Sequence, residues 1–364
     1  MKKVCVVTAT RAEYGLLRWT IEALRREPSI ETCLVVTGTH LLPEYGMTAD
    51  MIEADGIRID VRLPYCIYSD GSDAIGRTMS SCGEAFAGFF AQSRPDLLLV
   101  LGDRYELLPI CSCALVERIP IAHIAGGDVT EGAVDNQIRN AITMMSTLHF
   151  PSVKDSYDNV VRMRGSDKGV FAVGEPGIEN FMRMPLLSRE ELSSSLGLCA
   201  SKRWIMVTLH PETTLSLEDN MDMARAFFTA LLSLEEAEII VSSANADAGG
   251  AMINGYIKSL EGIHFFPSLG QLKYLSVLSQ AWCVAGNSSS GILETPVLGV
   301  PAINVGDRQH GRHLCGNVIS CGRDHDSILD ALRSVTGPVT PDHYFGDGEF
   351  SSKVVRHIKD FLDE

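Results

Sequence analysis

The chain has 364 residues, of which 45% are hydrophobic and 21% charged, so it is long enough for two domains with full cores and is not expected to be disordered. Its 46 acidic residues outnumber its 31 basic ones, and the formal charge of −15 excludes the broad basic surface that binds nucleic-acid polymers. A local anion site is not excluded, because a few cations and helix N-termini can converge in an acidic protein.

The first half of the chain alternates short apolar runs with amphipathic segments. The runs lack polar alternation, which is typical of parallel strands covered on both faces. Strands are predicted at residues 4–8, 33–37, 97–101 and 119–124, and helices at 16–26, 74–91, 105–116 and 137–146. The first run breaks at residues 10–13, too early for a signal peptide, and no run reaches the roughly 18 residues of a membrane helix. We therefore expect a cytoplasmic protein with no membrane partner.

The same pattern restarts near Trp204. Strands are predicted at residues 205–208, 239–242, 263–266, 283–285 and 302–305, and helices at 220–232 and 271–279. Such repetition predicts two doubly wound, Rossmann-like α/β domains facing a central cleft. We place an N-terminal domain at 1–170, a C-terminal domain at 171–350 and a terminal helix at 351–364 that packs back on the first domain. The linker is expected near residues 165–185.

Motifs for a cofactor or a metal are missing from the sequence. No GxGxxG follows the first strand, which disfavours a dinucleotide oxidoreductase. None of the ten cysteines forms a CxxC pair, and Cys5, Cys33 and Cys283 stand in apolar runs. Buried reduced thiols are therefore favoured over metal ligands, and we expect neither a metal ion nor an organic cofactor.

A candidate phosphate site follows the predicted strand at 283–285. Residues 286–290 read Gly-Asn-Ser-Ser-Ser and begin a predicted helix, where hydroxyls and free N–H groups can hold an anion. The alternative is that the serines are helix caps and that a nearby acid only favours the helix dipole. The candidate ligands in this region are Ser288, Ser289, Ser290, Glu294 and, after the next strand, Arg308.

Two more candidates lie at the ends of strands. Arg11 stands at a predicted helix start, where a cation opposes the helix dipole, so it is either a surface arginine or an anion ligand. His210 ends the first strand of the second half, and structural and catalytic roles are equally open for it.

Acidic residues cluster after two strands of the first half. Asp103 follows the strand at 97–101, and Asp128, Glu131 and Asp135 follow the strand at 119–124. Each could be a solvated loop acid, but several acids converging beyond adjacent strands suit proton transfer. A metal site is disfavoured because neither His-x-His nor Asp-x-Asp spacing occurs among them.

In their order and spacing, these residues resemble the UDP-N-acetylglucosamine 2-epimerase family over nearly the whole chain, specifically its hydrolysing branch. That branch begins the supply of N-acetylmannosamine for sialic and related nonulosonic acids. The matching runs are residues 10–15 (Thr-Arg-Ala-Glu-Tyr-Gly), 38–41, 102–104 (Gly-Asp-Arg), 123–135, 138–139, 209–212 (Leu-His-Pro-Glu), 245–249, 286–291, 308–309 and 311–312.

The resemblance implies the two-domain fold of type-B glycosyltransferases and the conversion of UDP-N-acetylglucosamine and water to N-acetylmannosamine and UDP through a 2-acetamidoglucal, with no redox cofactor. It implies proton transfer by Asp103, Asp128 and Asp135, with help from His210. It also implies a UDP-sugar partner and a homodimer or homotetramer. The substrate ligands that it implies are Arg11, His40, Arg104, Glu131, Asn245, Ser268, Gly270, Ser288, Ser289, Ser290, Glu294 and Arg308.

Three positions depart from the family pattern. Some relatives carry Glu where Ala125 stands, many carry Glu at the position of Asp128, and many carry His at the position of Asn140. These departures leave the division of acid and base roles open, and the identity of the sugar with it.

Three alternative functions remain open. The reaction could take UDP-2,4-diacetamido-2,4,6-trideoxyglucose or a GDP-linked sugar, with the loop at 64–73 shaping the sugar pocket. The protein could also be a glycosyltransferase of the same fold or a non-catalytic nucleotide-sugar sensor. A sensor would be expected to lack the acids, which are present.

Overall fold

The computed structural model describes residues 1–68, 73–129, 134–212, 214–244 and 249–364 and divides into two compact units. Unit 1 comprises Met1–Glu179 and Gly346–Glu364, and unit 2 comprises Asn180–Phe345. The predicted domain edge at 170 and 171 lies inside unit 1, and the unit boundary falls within the segment 165–185. Within the described residues, each unit contains a six-stranded parallel sheet, which confirms the predicted fold class.

The strands of unit 1 run parallel and lie in the order β3-β2-β1-β4-β5-β6. Their bounds are β1 Lys2–Thr8, β2 Ile30–Thr37, β3 Val61–Leu63, β4 Leu97–Leu101, β5 Ile121–Ile124 and β6 Leu148–Phe150. The order reverses between β1 and β4. Ligands of doubly wound sheets bind beyond the carboxyl ends of the strands at such a switch point.

Helices cover the sheet of unit 1. Their bounds are α1 Arg11–Arg26, α2 Ala49–Ala54, α3 Ala74–Ser93, α4 Leu107–Val116, α5 Asp135–Met145 and α6 Lys154–Arg164, with α7 Glu179–Arg183 at the unit boundary. Short 3-10 helices occupy Gly38–Leu41, Pro43–Tyr45 and Pro176–Ile178.

Local sequence explains why α1 begins where it does. Thr10 caps the helix by accepting a hydrogen bond from the Glu13 N–H, and the Glu13 carboxylate accepts one from the Thr10 N–H at 2.8 Å. This reciprocal pair satisfies two N–H groups that the first turn leaves unpaired. Leu17, Ile21 and Leu24 share one face of the helix at i, i+4 and i+7 and are fully buried against the sheet.

The chain's last helix belongs to unit 1. Helix α15, which follows the helices of unit 2, spans Phe350–Asp363 and buries Phe350, Val354 and Ile358 in the same core as Leu17 and Ile21. At its start, Ser351 donates from its N–H at 2.8 Å and from its hydroxyl at 2.5 Å to the buried Glu179 carboxylate. This links the two chain segments of the unit.

Unit 2 repeats the strand order of unit 1. The strands are β7 Arg203–Thr208, β8 Ala237–Ser242, β9 Ile263–Phe266, β10 Cys283–Gly286, β11 Ala302–Val305 and β12 Val318–Cys321, in the order β12-β11-β10-β7-β8-β9. The helices are α8 Arg189–Leu196, α9 Leu217–Leu232, α10 Gly250–Lys258, α11 Gly270–Gln280, α12 Ser290–Leu293, α13 Thr295–Leu298 and α14 His325–Ser334. Its switch point lies between β7 and β10.

The cysteines are unpaired and mostly interior. All ten are free thiols, and those predicted to be buried, Cys5, Cys33 and Cys283, are buried. In the part of the chain that the structure describes, no helix has both the length and the apolar character needed to span a bilayer.

Candidate functional site

At the switch point of unit 2, the backbones at the ends of β10 and β7 lie close together. Gly286 ends β10 with φ +133°, and a Cβ there would lie 2.0 Å from the carbonyl oxygen of Thr208 at the end of β7. Only glycine permits this approach. The loops that follow β7 and β10 are therefore held side by side.

Asn287 joins three loops of unit 2. Its buried side-chain amide accepts from the His210 N–H at 2.7 Å and donates to the His210 carbonyl at 2.8 Å. Its own carbonyl accepts from Gln309 at 2.8 Å and from the Arg308 guanidinium at 3.3 Å. His210 and Arg308, predicted as separate candidates, are thus connected through one asparagine.

The serines after Asn287 have different surroundings. Ser288 and Ser289 are half-buried, and no described residue accepts a hydrogen bond from their backbone N–H groups. Ser290 instead donates to the Glu294 carboxylate and accepts from the Tyr274 hydroxyl at 2.7 Å. Because α12 is only four residues long, an anion here would be held by N–H and hydroxyl groups more than by a helix dipole.

Glu294 is half-buried at the end of α12. Burial raises its pKa to about 6, although the hydrogen bond from Ser290 works in the opposite direction. The carboxylate would recover solvation if it accepted hydrogen bonds from further hydroxyl donors. A ribose diol supplies two such donors.

A buried carboxylate holds the arginine loop, residues 306–312. Glu212 is 3% exposed and accepts from Arg323 at 2.6 Å and from the Asp307 N–H at 2.9 Å. A Cβ at Gly306 would come within 2.1 Å of the Glu212 Oε1. This pairing ties the arginine loop to the segment after β7 that also carries His210.

In unit 1, an arginine brings two of the predicted acids together. Arg139 on α5 is 6% exposed and donates to the Asp103 carboxylate, and it also donates to the Asp128 carbonyl at 2.6 Å. The Asp128 carboxylate accepts from the Ser156 hydroxyl. Asp103 and Asp128 therefore share a partner beyond β4 and β5.

Asp135 and Arg11 are exposed at helix starts. Asp135 is the first residue of α5, one turn before Arg139 on the same helix face. Arg11 is the first residue of α1, and no described residue forms an ion pair with it. Both side chains are accessible to a ligand.

Arg104, the residue after Asp103, is paired with a buried carboxyl group. It donates to Glu106 at 2.6 Å, and Glu106 is only 1% exposed. Nearby Glu13 accepts from the Ala9 N–H at 2.9 Å, and burial raises the pKa of Glu13 to about 7 against the lowering effects of that N–H and of Arg104. A fixed arginine and two buried carboxyls thus stand at the β1–β4 switch point.

His40, a predicted substrate ligand, lies in the interior of unit 1. It is fully buried, with one ring nitrogen 3.0 Å from the Thr8 hydroxyl and the other 2.7 Å from the Thr48 hydroxyl. Burial lowers its pKa to about 4. Both nitrogens have protein partners that fix the loop after β2, and the role of His40 as a substrate ligand stays a prediction.

The remaining predicted ligands are less constrained. Ser268 and Gly270 are exposed at the start of α11, and the Gly270 N–H donates to the Ser268 hydroxyl at 3.2 Å. Glu131 and Asn245 lie outside the described residues. Among the residues that the structure does describe, no group of three or more His, Cys, Asp or Glu side chains could hold a metal ion.

Sequence reasoning missed the residues that position others. Arg139 stands four residues after Asp135, a spacing that places both on one helix face and could have drawn attention to it. Glu106 has no such signal in the sequence. Its partner Arg104 is only two residues away, but the burial of Glu106 depends on the fold. Asn287 and Glu212 lie within the family-like motifs, but the sequence alone assigns no role to either.

Comparison with known proteins shows which family the chain resembles. A family model described as UDP-N-acetylglucosamine 2-epimerase matches residues 22–359. A Campylobacter jejuni protein named GDP/UDP-N,N'-diacetylbacillosamine 2-epimerase (hydrolyzing) is 34% identical, over 92% of this chain and 88% of its own. The polysialic acid biosynthesis protein P7 of Escherichia coli is also 34% identical, over 100% and 95% of the two chains.

Solved structures share the fold. The crystal structure of UDP-GlcNAc 2-epimerase from Neisseria meningitidis bound to UDP-GlcNAc has a TM-score of 0.82, with 16% sequence identity and full coverage of both chains. At this identity the similarity shows the fold alone, which is the two-domain, type-B glycosyltransferase-like architecture.

Proposed function

The chain belongs to the UDP-N-acetylglucosamine 2-epimerase family, and we propose that it is a hydrolysing 2-epimerase that converts UDP-N-acetylglucosamine and water to N-acetylmannosamine and UDP. The proposal rests on the positions of the candidate groups at the ends of the strands in each sheet. Asp103 and Arg11 follow β4 and β1, and Ser288 and His210 follow β10 and β7, the strand pairs that flank the two switch points.

The proposed reaction has two steps. A carboxylate takes the proton from C2 while the C1–O bond to UDP breaks, which leaves a C1=C2 double bond in a 2-acetamidoglucal. Water then gives its hydroxyl to C1, and C2 receives a proton on the opposite face. Because no atom is oxidised or reduced overall, the reaction needs no redox cofactor.

We assign the proton transfers to unit 1. Two groups are needed, one for each face of the sugar, and Asp103, Asp128 and Asp135 are the candidates. Arg139 supports this assignment because its two donor groups reach Asp103 and the Asp128 backbone, and it lies one turn after Asp135. A rigid partner keeps such carboxylates in a fixed direction.

We assign the nucleotide to unit 2. The departing diphosphate gains negative charge as the C1–O bond breaks, and donors aimed at that charge lower the barrier. Ser288, Ser289 and Arg308 would supply those donors with help from Arg11, and Glu294 would accept from the ribose. His210, whose backbone Asn287 fixes on both sides, would assist the elimination.

A second substrate is favoured by one observation. The 34% identical Campylobacter jejuni relative is named for N,N'-diacetylbacillosamine, whereas the equally identical Escherichia coli relative is named for polysialic acid. The matching alternative is therefore the same reaction on UDP-2,4-diacetamido-2,4,6-trideoxyglucose, with a GDP-linked form as its variant.

The assembly and location of the enzyme are part of the proposal. We propose a UDP-sugar as its small-molecule partner, a homodimer or homotetramer in solution, and a cytoplasmic location. Light scattering coupled to size exclusion measures the assembly directly.

One experiment tests the reaction and the sugar together. The purified protein is incubated in deuterated water with UDP-N-acetylglucosamine or with the diacetamido-trideoxy analogue, and the products are followed by NMR and mass spectrometry. Release of UDP with N-acetylmannosamine deuterated at C2 is expected from the first sugar. Faster release of UDP from the analogue would mean that the analogue is the substrate and that the proposed reaction still holds.

Other outcomes contradict the proposal. UDP release without deuterium at C2 would mean simple hydrolysis, and transfer of the sugar to an added acceptor would mean a glycosyltransferase. The Asp103→Asn variant, purified in parallel, controls for a contaminating epimerase.

A further inference from the structure

Gly102, the residue that precedes Asp103, is held at both its N–H and its carbonyl by the neighbouring strand. Gly102 leaves β4 with φ +83°, and its N–H donates to the Ile124 carbonyl on β5 at 3.0 Å. Its carbonyl lies 2.8 Å from the Nε2 of His123, also on β5. The direction in which Asp103 leaves the sheet is therefore set by two contacts with β5.

The protonation of His123 follows from its partners. A carbonyl oxygen can only accept, so Nε2 must carry the proton that it donates to Gly102. The Thr143 hydroxyl, 3.1 Å from Nδ1, then donates to the unprotonated nitrogen. His123 and Thr143 are both fully buried, and burial lowers the pKa of His123 to about 4, so the ring is neutral at pH 7.

The ring has little freedom to move. A Cβ at Gly126 would lie 2.9 Å from the Thr143 hydroxyl oxygen and 3.0 Å from the His123 Nδ1. The glycine therefore leaves room for the histidine and threonine pair and no more. The ring's hydrogen bond to Gly102 links this buried pair to the residue that precedes Asp103.

We propose that His123 is a positioning residue for the reaction, which orients Asp103 through the Gly102 carbonyl. Arg139 holds the Asp103 carboxylate from one side, and His123 fixes the backbone from which it projects. His123 touches neither the carboxylate nor, on this assignment, the substrate. The inference rests on the proposed function, in which Asp103 transfers a proton.

Two substitutions separate the two ring nitrogens. The Gln amide nitrogen can occupy the position of Nε2, so His123→Gln keeps the donor to Gly102. The shorter Asn amide reaches only the position of Nδ1, so His123→Asn keeps a partner for Thr143 and loses the bond to Gly102. Thr143→Val is the matched control, since it removes the other bond of the ring.

Turnover is measured as UDP release, and kcat and KM are separated for each variant. His123→Asn should lower kcat by about 100-fold, the effect of a misplacement on the order of 1 Å, with KM changed less than about threefold. His123→Gln should recover most of this loss, and Thr143→Val should stay within about threefold of the unchanged protein. Melting temperature and UDP affinity are recorded alongside, because a general loss of structure would lower both.

Two results overturn the proposal. One is a His123→Asn variant with unchanged kcat, and the other is a His123→Gln variant that loses as much kcat as His123→Asn. Turnover by the unchanged protein in the same assay establishes the function separately, so either result removes only the role of His123. If His123→Asn does not fold, Gly126→Ala replaces it: displacement of the ring should lower kcat at constant KM, and an unchanged kcat contradicts the role.

Discussion

The positive charge of Arg139 holds two of the candidate acids of unit 1, Asp103 and Asp128. A guanidinium that is 6% exposed must be paired, because removing a partner leaves an uncompensated charge away from water. Asp103 supplies the compensating carboxylate and the Asp128 carbonyl takes a second N–H. A substitution at Asp103 must therefore keep an acceptor if its effect on chemistry is to be read separately from its effect on folding.

Asp103→Asn meets that condition. The amide oxygen can still accept from Arg139, but it cannot take a proton from C2. We expect kcat to fall by about 100- to 10,000-fold, the usual range for a lost acid or base, while UDP affinity stays within about threefold. UDP release and UDP titration calorimetry measure the two quantities.

Glu31→Gln is the matched control for this prediction, since Glu31 is an exposed acid of β2 in the same unit. It should leave both quantities unchanged. Unaltered turnover by Asp103→Asn would remove Asp103 from the mechanism.

At the level of single residues, candidate ligands can be predicted from the sequence more readily than the residues that hold them in place. Ser288, Glu294 and Arg308 could be proposed because they follow strands, and strand ends are visible in a hydrophobic pattern. The role of Asn287 could not, because its partner His210 is 77 residues away and the contact exists only once β7 and β10 are adjacent. The surroundings of His40 could not be predicted either, since nothing local in the sequence shows that both of its nitrogens contact threonine hydroxyls.

Among the elements, long apolar runs were predicted well and short ones were not. The strand at 97–101 and the helix at 74–91 match β4 and α3 closely. Strands β3 and β6 have three residues each and β12 has four, too few to show a periodicity, and all three were missed. Each is an edge strand of its sheet, so the omissions left both switch points unaffected.

The turn from β10 into α12 depends on Gly286. We expect Gly286→Ala to lower the free energy of unfolding by several kcal/mol, on the order of the cost of strained backbone plus a clash, because φ is +133° and the added Cβ would meet the Thr208 carbonyl at 2.0 Å. UDP affinity should fall as well, since the serines move with the turn. Chemical denaturation and UDP titration measure the two effects.

Gly255→Ala is the control for the turn. Gly255 lies within α10, and a Cβ there has no neighbour within 4 Å. Alanine at this helical position should raise the free energy of unfolding by up to about 1 kcal/mol and leave UDP affinity unchanged. Equal effects of the two substitutions would refute the special role of Gly286.

At the scale of the whole molecule, unit 1 is assembled from two distant stretches of chain. Deleting residues 350–364 removes Phe350, Val354 and Ile358 from its core. We expect the melting transition of unit 1 to move down by at least about 10 °C, since each large core side chain contributes several kcal/mol. The affinity for UDP, whose ligands we assign mainly to unit 2, should not change. Calorimetry measures the melting transition and UDP titration measures the affinity.

Lys359→Ala is the matched control for the deletion. It removes only the ion pair with Glu27 at 3.3 Å, on partly exposed side chains. Such a pair is worth at most about 1 kcal/mol, so the transition should barely move. If the shortened chain melted at the same temperature as the full-length chain, the assignment of α15 to the core of unit 1 would be contradicted.

Acid should destabilise unit 1 through its buried histidines. Burial lowers the pKa of His40 and His123 to about 4 and that of His149 to about 3. Between pH 6.5 and 4 these histidines bind protons in the unfolded chain but not in the folded one. Their contribution to the free energy of unfolding is therefore fully present above pH 6.5. It falls by about 1.4 kcal/mol per pH unit for each histidine as the pH drops. Glu13, with a raised pKa, opposes this because its folded form keeps a proton up to about pH 7.

Calorimetry from pH 7 to pH 4.5 measures this dependence. Three histidines outweigh one glutamate, so the transition of unit 1 should move down with acid. His149→Phe should reduce the slope, because it removes one of the groups that titrate on unfolding. A transition that rises on acidification would contradict the assignment.

The return of α15 to unit 1 also has a mechanical consequence. A force applied at the two chain ends acts first on the contacts between α15 and α1, because both ends belong to unit 1. Unit 2 carries tension only after α15 has been peeled away, since its own ends leave from and return to unit 1. Stretched in an optical trap, the chain should lengthen first by a short step from the final helix and only then by the unfolding of unit 2.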